Sequence, residues 1–246
     1  MRPVDLLWTS GWDSTYRLLD LVLRERREVQ PYYVIDRDRP SSKIELEAQE
    51  RIRAALQQKD SRAAALVRPI IVVDRHELPE DAGVAEALQR LKQRSYIGYQ
   101  YDFLAKLAAA HGLQGLELSV HRDDKLVKHL DGHVEQVGGI WQIAAGAPEE
   151  LGPLNYFRFP LLTMTKLEMR EGAEQGGFLD LMQLTWFCHY PVDGQPCGSC
   201  NPCRATVAEG LGGRVPWKRR LRAALISPVR PLVRRIRERR DRRSSR

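Results

Sequence analysis

Near the start of the chain an apolar run over residues 4–8 stops at Thr9-Ser10-Gly11-Trp12-Asp13-Ser14-Thr15. It then passes into Tyr16-Arg17-Leu18-Leu19-Asp20-Leu21-Val22-Leu23. No other feature constrains the fold as tightly, because this order reads as a buried strand, a tight loop and a helix whose N-terminus lies under the loop. Such a loop gathers backbone N–H groups, hydroxyl donors and the positive end of a helix dipole. An anion, above all a phosphate chain, is its natural occupant. The plainer alternative is an ordinary strand-to-helix turn with Ser or Asp as N-cap.

The alternation continues. Strands are predicted over residues 31–35, 69–73, 116–120 and 157–162, and helices over 15–27, 43–58, 84–94, 99–110 and 166–174. Residues 134–145 carry the pair Gly138-Gly139 and no assignable period. Strands alternating with helices predict an α/β fold with a parallel, Rossmann-like sheet. Ligands of such sheets sit beyond the C-terminal strand edge. There Thr9–Ser14, Asp36, Asp74 and His121-Arg122-Asp123-Asp124 are expected to gather.

Residues 217–246 hold 13 Lys/Arg against 2 Asp/Glu, a net of +11, so residues 1–216 carry −4 although the whole chain is +7. The basicity belongs to a tail. Trp217-Lys218-Arg219-Arg220-Leu221-Arg222-Ala223-Ala224-Leu225-Ile226 has a basic amphipathic pattern, Pro228 and Pro231 break it, and residues 233–237 begin another. RNA, an anionic membrane surface or an acidic protein would suit it; so would a solvated extension serving solubility. With no run of about 18 apolar residues and no room for a signal peptide before the first strand, a cytoplasmic protein is expected.

All four cysteines, Cys188, Cys197, Cys200 and Cys203, lie within sixteen residues. Four soft thiolates with Gly198 and Pro202 between them can close a tetrahedron around a structural Zn²⁺. Unpaired thiols and an iron–sulfur cluster are the alternatives.

Thr9-Ser10-Gly11-Trp12-Asp13-Ser14 resembles the Ser-Gly-Gly-x-Asp-Ser loop of the PP-loop ATP pyrophosphatase superfamily. Cys188, Cys197, Gly198, Cys200 and Cys203 resemble the C-terminal cysteine pattern of one branch, the 7-cyano-7-deazaguanine (preQ0) synthases. Phe159-Pro160-Leu161 and Lys166-Leu167-Glu168 look like that family's Thr-Pro-Leu and Lys-x-Glu. The resemblance runs over residues 4–211 in order of elements and is specific at the two ends. It implies an ATP- and Mg²⁺-dependent C–N ligase of queuosine biosynthesis type. Such an enzyme adenylates the carboxylate of a 7-deazaguanine, lets ammonia attack, and dehydrates the amide to the nitrile. Thr9, Ser10, Gly11, Trp12, Asp13, Ser14, Thr15 and Asp36 would bind the nucleotide. Asp13 would orient the loop or meet Mg²⁺, and Lys166 would neutralise phosphate charge.

The middle of the chain departs from the family. Asp36-Arg37-Asp38-Arg39 replaces Gly-Gln, and Gly98-Tyr99-Gln100 replaces Gly-Arg-Asn. A divergent member with another acceptor or product is therefore expected. The implied organisation is a PP-loop ATP-binding domain over 1–183, a zinc appendage with its following helix over 184–212, and a basic tail over 213–246. The chain is also open to homodimerisation. The competing readings are a PP-loop enzyme modifying tRNA and an inactive module binding zinc and nucleic acid. Trp12 and the trio Tyr96, Tyr99 and Tyr101 are either ring-stacking or packing residues. His129 and His133 have metal-ligand spacing, but Gly132 lies between them.

Overall fold

The computed structural model describes residues 2–37 and 39–226. In chain order its strands and helices are β1 (Val4–Leu7), α1 (Trp12–Leu19), β2 (Val29–Ile35), α2 (Ser42–Lys59) and α3 (Ser61–Ala64). There follow β3 (Ile71–Asp74), α4 (Ala82–Arg94), α5 (Gln100–Ala110), β4 (Leu116–Glu117) and α6 (Val127–Leu130). The rest are β5 (Val134–Val137), β6 (Ile140–Ile143), β7 (Phe157–Phe159), α7 (Lys166–Gln175), α8 (Leu179–Met182), α9 (Asn201–Thr206) and α10 (Trp217–Ile226). Residues from Ser227 on, with Pro228, Pro231 and the second basic stretch, lie outside the described residues. The described residues fall into two compact units that divide between Phe187 and Cys188.

The first unit is an α/β sheet of seven strands in the order β3-β2-β1-β4-β7-β6-β5. The strands from β3 to β7 pair in parallel; β6 and β5 add an antiparallel edge. A parallel sheet must be covered on both faces, and the alternation along β2 meets that need. Tyr32 and Val34 enter the core with Leu88, Leu91, Leu104 and Leu107 of α4 and α5. Tyr33 points the other way and donates to Glu45 Oε2 of α2 at 2.8 Å. Helices α1, α2, α3, α7 and α8 pack with one another, as do α4, α5 and the single turns at Glu149–Leu154.

The uninterpreted stretch is the β5–β6 hairpin. Gly138 and Gly139 both hold positive φ (60° and 83°), the requirement of a two-residue hairpin turn. The strand expected over 116–120 pairs with β1 only at Leu6–Glu117. The first helix begins earlier than expected, at Trp12, and widens into a π-type turn over Asp20–Arg24. The helix holding His129 ends at Leu130, and Gly132 turns with φ +73°. His133 is therefore off that helix, and the buried His129 ring meets Ser95 Oγ at 2.7 Å.

Candidate functional site at the centre of the sheet

Sequential strands run outward from β1 to β2 and β3, and the chain then returns to place β4 on the other side of β1. That reversal is the point where an open α/β sheet leaves a crevice beyond its strand ends. The β1–α1 loop occupies it. Gly11 is the N-cap of α1 in extended conformation, and no side chain caps the helix. The first-turn N–H groups of any helix lack acceptors within the helix, and here no side chain from the N-cap supplies one.

The loop is fixed from below. Trp8 Nε1 donates to Thr15 Oγ1 at 3.0 Å, Gln49 Nε2 donates to the Trp8 carbonyl at 2.7 Å, and the Trp186 N–H donates to the Ser10 carbonyl at 2.9 Å. Ser14 Oγ accepts the Thr9 N–H at 3.2 Å and lies 3.3 Å from Thr9 Oγ1. Ser10 stands at φ 57°, where the resembling loop has glycine, and is wholly buried. Its hydroxyl has no hydrogen-bond partner among the described residues, nor has the buried hydroxyl of Ser119 just beyond β4.

Far apart in sequence, Asp13 and Lys166 meet here, with Lys166 Nζ 3.5 Å from Asp13 Oδ2. Lys166 opens α7, whose start is set by a capping box. Thr165 Oγ1 accepts the Glu168 N–H, and the Glu168 carboxylate accepts the Thr165 N–H at 2.6 Å. Those bonds from the Thr165 backbone and hydroxyl hold the Glu168 carboxyl below its ordinary value. Gly172 lets α7 approach α1, since a Cβ there would stand 2.5 Å from the Tyr16 hydroxyl. The loop after β4 docks onto the same region: the Arg122 N–H donates to the Met164 carbonyl, and its guanidinium Nε donates to the Thr163 carbonyl at 2.9 Å.

Asp36 follows β2, is buried, and accepts from Arg75 Nη1 at 3.0 Å and the Tyr99 hydroxyl at 3.5 Å. Asp74 pairs with Arg37, and the His76 N–H, with that guanidinium, lowers its carboxyl pKa. Trp12 is 3% exposed and packs the helix start. Tyr101 is core while Tyr96 and Tyr99 are exposed, so the three tyrosines form no common wall. Nothing in the sequence points to Gln49, whose amide holds the Trp8 carbonyl across forty-one positions.

The second unit begins at the cysteine cluster. The four Sγ atoms of Cys188, Cys197, Cys200 and Cys203 lie within 4.8 Å of one another, with two pairs at 3.9 Å. A tetrahedral Zn²⁺ with Zn–S of about 2.3 Å sets its sulfurs about 3.8 Å apart, so the donor set fits that ion. Cys197 Sγ accepts the N–H groups of Ser199 and Cys200, and Cys188 Sγ accepts that of Cys197, as thiolates require. Hydrogen bonds from Cys188 and Cys203 hold the Cys200 thiol far below its ordinary value, while the contact with Cys200 pushes Cys188 up to about 11. A divalent cation removes that conflict by stabilising all four as thiolates. Among the described residues no other cluster of His, Cys, Asp or Glu is arranged to hold a metal.

These features define an α/β protein with a mostly parallel seven-stranded sheet and a four-cysteine cluster that could bind a metal. Compared with models of known protein families and with curated proteins, the sequence matches none. Among the described residues no helix is long and apolar enough to cross a membrane.

Proposed function

We propose that the protein is an ATP-dependent ligase that activates a carboxylate as its acyl adenylate, the acid being a 7-deazaguanine carboxylate as the sequence resemblance implies. The observation that carries the reading is the Lys166–Asp13 pair beside an uncapped helix N-terminus at the sheet's reversal point. A carboxylate oxygen attacks the α-phosphorus of ATP, the bond to the bridging oxygen breaks, and pyrophosphate leaves. Ammonia or another amine then attacks the acyl carbon and AMP departs with the electron pair.

In this reading the α1 N-terminus and the Ser10 and Ser14 hydroxyls receive the pyrophosphate. Lys166 Nζ moves from Asp13 to the phosphate oxygens as their charge grows. Asp13, relieved of the lysine, is the carboxylate suited to hold Mg²⁺, which supplies charge neutralisation on the triphosphate. Zn²⁺ at the cysteines is structural, since four thiolates leave no open position. The divergent segment around Asp36 and Tyr99, with the carboxylate already held by Arg75, favours an acceptor other than ammonia as the second reading.

The test is release of AMP and pyrophosphate from ATP and Mg²⁺ with 7-carboxy-7-deazaguanine, with ammonia or candidate amines, products being weighed by mass spectrometry. Asp13→Ala and Lys166→Ala are each expected to lower the rate by about 100-fold or more. ATP left intact by the wild-type protein with this acid would rule the reading out in favour of a binding module.

A further inference from the structure

We propose that α10 is an interfacial helix that seats the C-terminal unit on an anionic lipid surface. A helix on a protein surface normally turns its apolar stripe inward and its charges outward. Helix α10 does the reverse. Its covered side is that of Arg219 and Ala223: the Arg219 backbone lies against Gly198, where a Cβ would stand 2.9 Å from it, and its guanidinium reaches Asp193 Oδ2 at 3.5 Å. On the opposite side Trp217, Leu221 and Leu225, at successive fourth positions, are 62%, 55% and 71% exposed. Ala224 is exposed between them.

The helix is thus held to the cysteine knuckle by its polar side and presents its apolar side to solvent. Of the eleven large apolar side chains exposed among the described residues, six lie after Phe187, so the exposure is concentrated here. Lys218 and Arg222 flank the stripe on one side and Arg220 on the other, and residues 217–226 contain no acid.

This arrangement chooses among occupants. A nucleic-acid backbone would satisfy the cations but offers nothing to three exposed apolar side chains. A second copy of α10 would cover the stripe while bringing like charges together across it. A surface of anionic headgroups over acyl chains meets both needs: Trp217, Leu221 and Leu225 enter the headgroup–chain boundary, and the lysine and arginines extend outward to the phosphates. The helix lies in the surface plane. Its ten described residues are far too short to span a bilayer of roughly 30 Å.

Flotation of the full-length protein with vesicles of phosphatidylcholine alone, or of phosphatidylcholine mixed with phosphatidylglycerol, tests the proposal. Binding is expected to the mixed vesicles only and to weaken as salt rises. Leu221→Gln with Leu225→Gln keeps the helix-forming character and the packed face, so zinc content should not change. Lipid affinity should fall by at least about tenfold, from the lost apolar transfer. Lys218→Gln with Arg222→Gln should weaken binding and flatten its salt dependence.

Vesicle binding untouched by the leucine pair would reduce the contact to charge adhesion and overturn the proposal. So would failure to bind mixed vesicles, whether accompanied by salt-dependent retention on RNA or by a dimer that the leucine pair converts to monomer. None of these readouts depends on ATP turnover, so the ligase reading and this one can fail separately.

Discussion

Ser10 occupies a backbone region that costs an L-residue about 1 kcal/mol or more, and its hydroxyl is buried without a partner. Both features are unfavourable to folding alone and are explained if the hydroxyl meets a bound phosphate. Ser10→Gly is therefore expected to raise the melting stability by about 1 kcal/mol while weakening ATP binding; a parallel rise or fall of the two would contradict that role. At the other side of the crevice the Glu168 carboxyl is depressed in the folded chain. Its contribution to the α7 cap is complete above the unfolded value of about 4.5 and fades as pH falls through the lower folded value. Thermal melts taken downward in pH should show this loss, and Glu168→Gln should remove its share. The residues of the loop could be read from their register, because loop, helix start and hydroxyls are contiguous. The meeting of Asp13 with Lys166 could not, since it depends on how closely Gly172 lets α7 lie on α1.

Two elements are joined by a device that neither period nor motif signals. Arg17 of α1 and Glu117 of β4, a hundred positions apart, form a bidentate pair at 2.7 and 3.1 Å with both side chains buried, and Glu25 accepts from the same guanidinium at 2.6 Å. Removing Arg17 strands the buried Glu117 carboxylate, so Arg17→Ala should destabilise by about 3–5 kcal/mol in chemical denaturation. Gly172→Ala should push α7 off Tyr16 and, under the proposed ligase activity, reduce turnover more than it reduces stability, a separation that activity and melting assays would reveal. The βα alternation is plain in the sequence because strands such as β2 and β3 carry short apolar stretches (Tyr32 to Ile35 and Ile71 to Val73) between longer amphipathic helices. The β5–β6 hairpin is harder to read, since Glu135 and Gln136 adjoin one another and dilute the period of two, although Gly138-Gly139 marks its turn. The shortness of β4 is hidden for the opposite reason: Leu116, Leu118 and Val120 alternate with Glu117 and Ser119 as in a five-residue strand, while the pairing with β1 is confined to Glu117.

Across the whole molecule, charge and metal are segregated by unit. Residues 1–216 are net acidic and residues 217–246 strongly basic, while the thiolate cluster belongs to the unit that begins at Cys188. Chelation is expected to release one Zn²⁺ and expose four titratable thiols. Hydrogen exchange should rise in residues 188–226 while the strands β1, β2 and β4 keep their protection; loss of protection in both would show that folding of the sheet needs the metal. In the first unit, β1 and β4 share a single aligned pair, Leu6 with Glu117. A layer roofed by helices on both faces can admit a guest only through its rim, and at mid-width two of this layer's inner ribbons are tied to each other at one aligned pair.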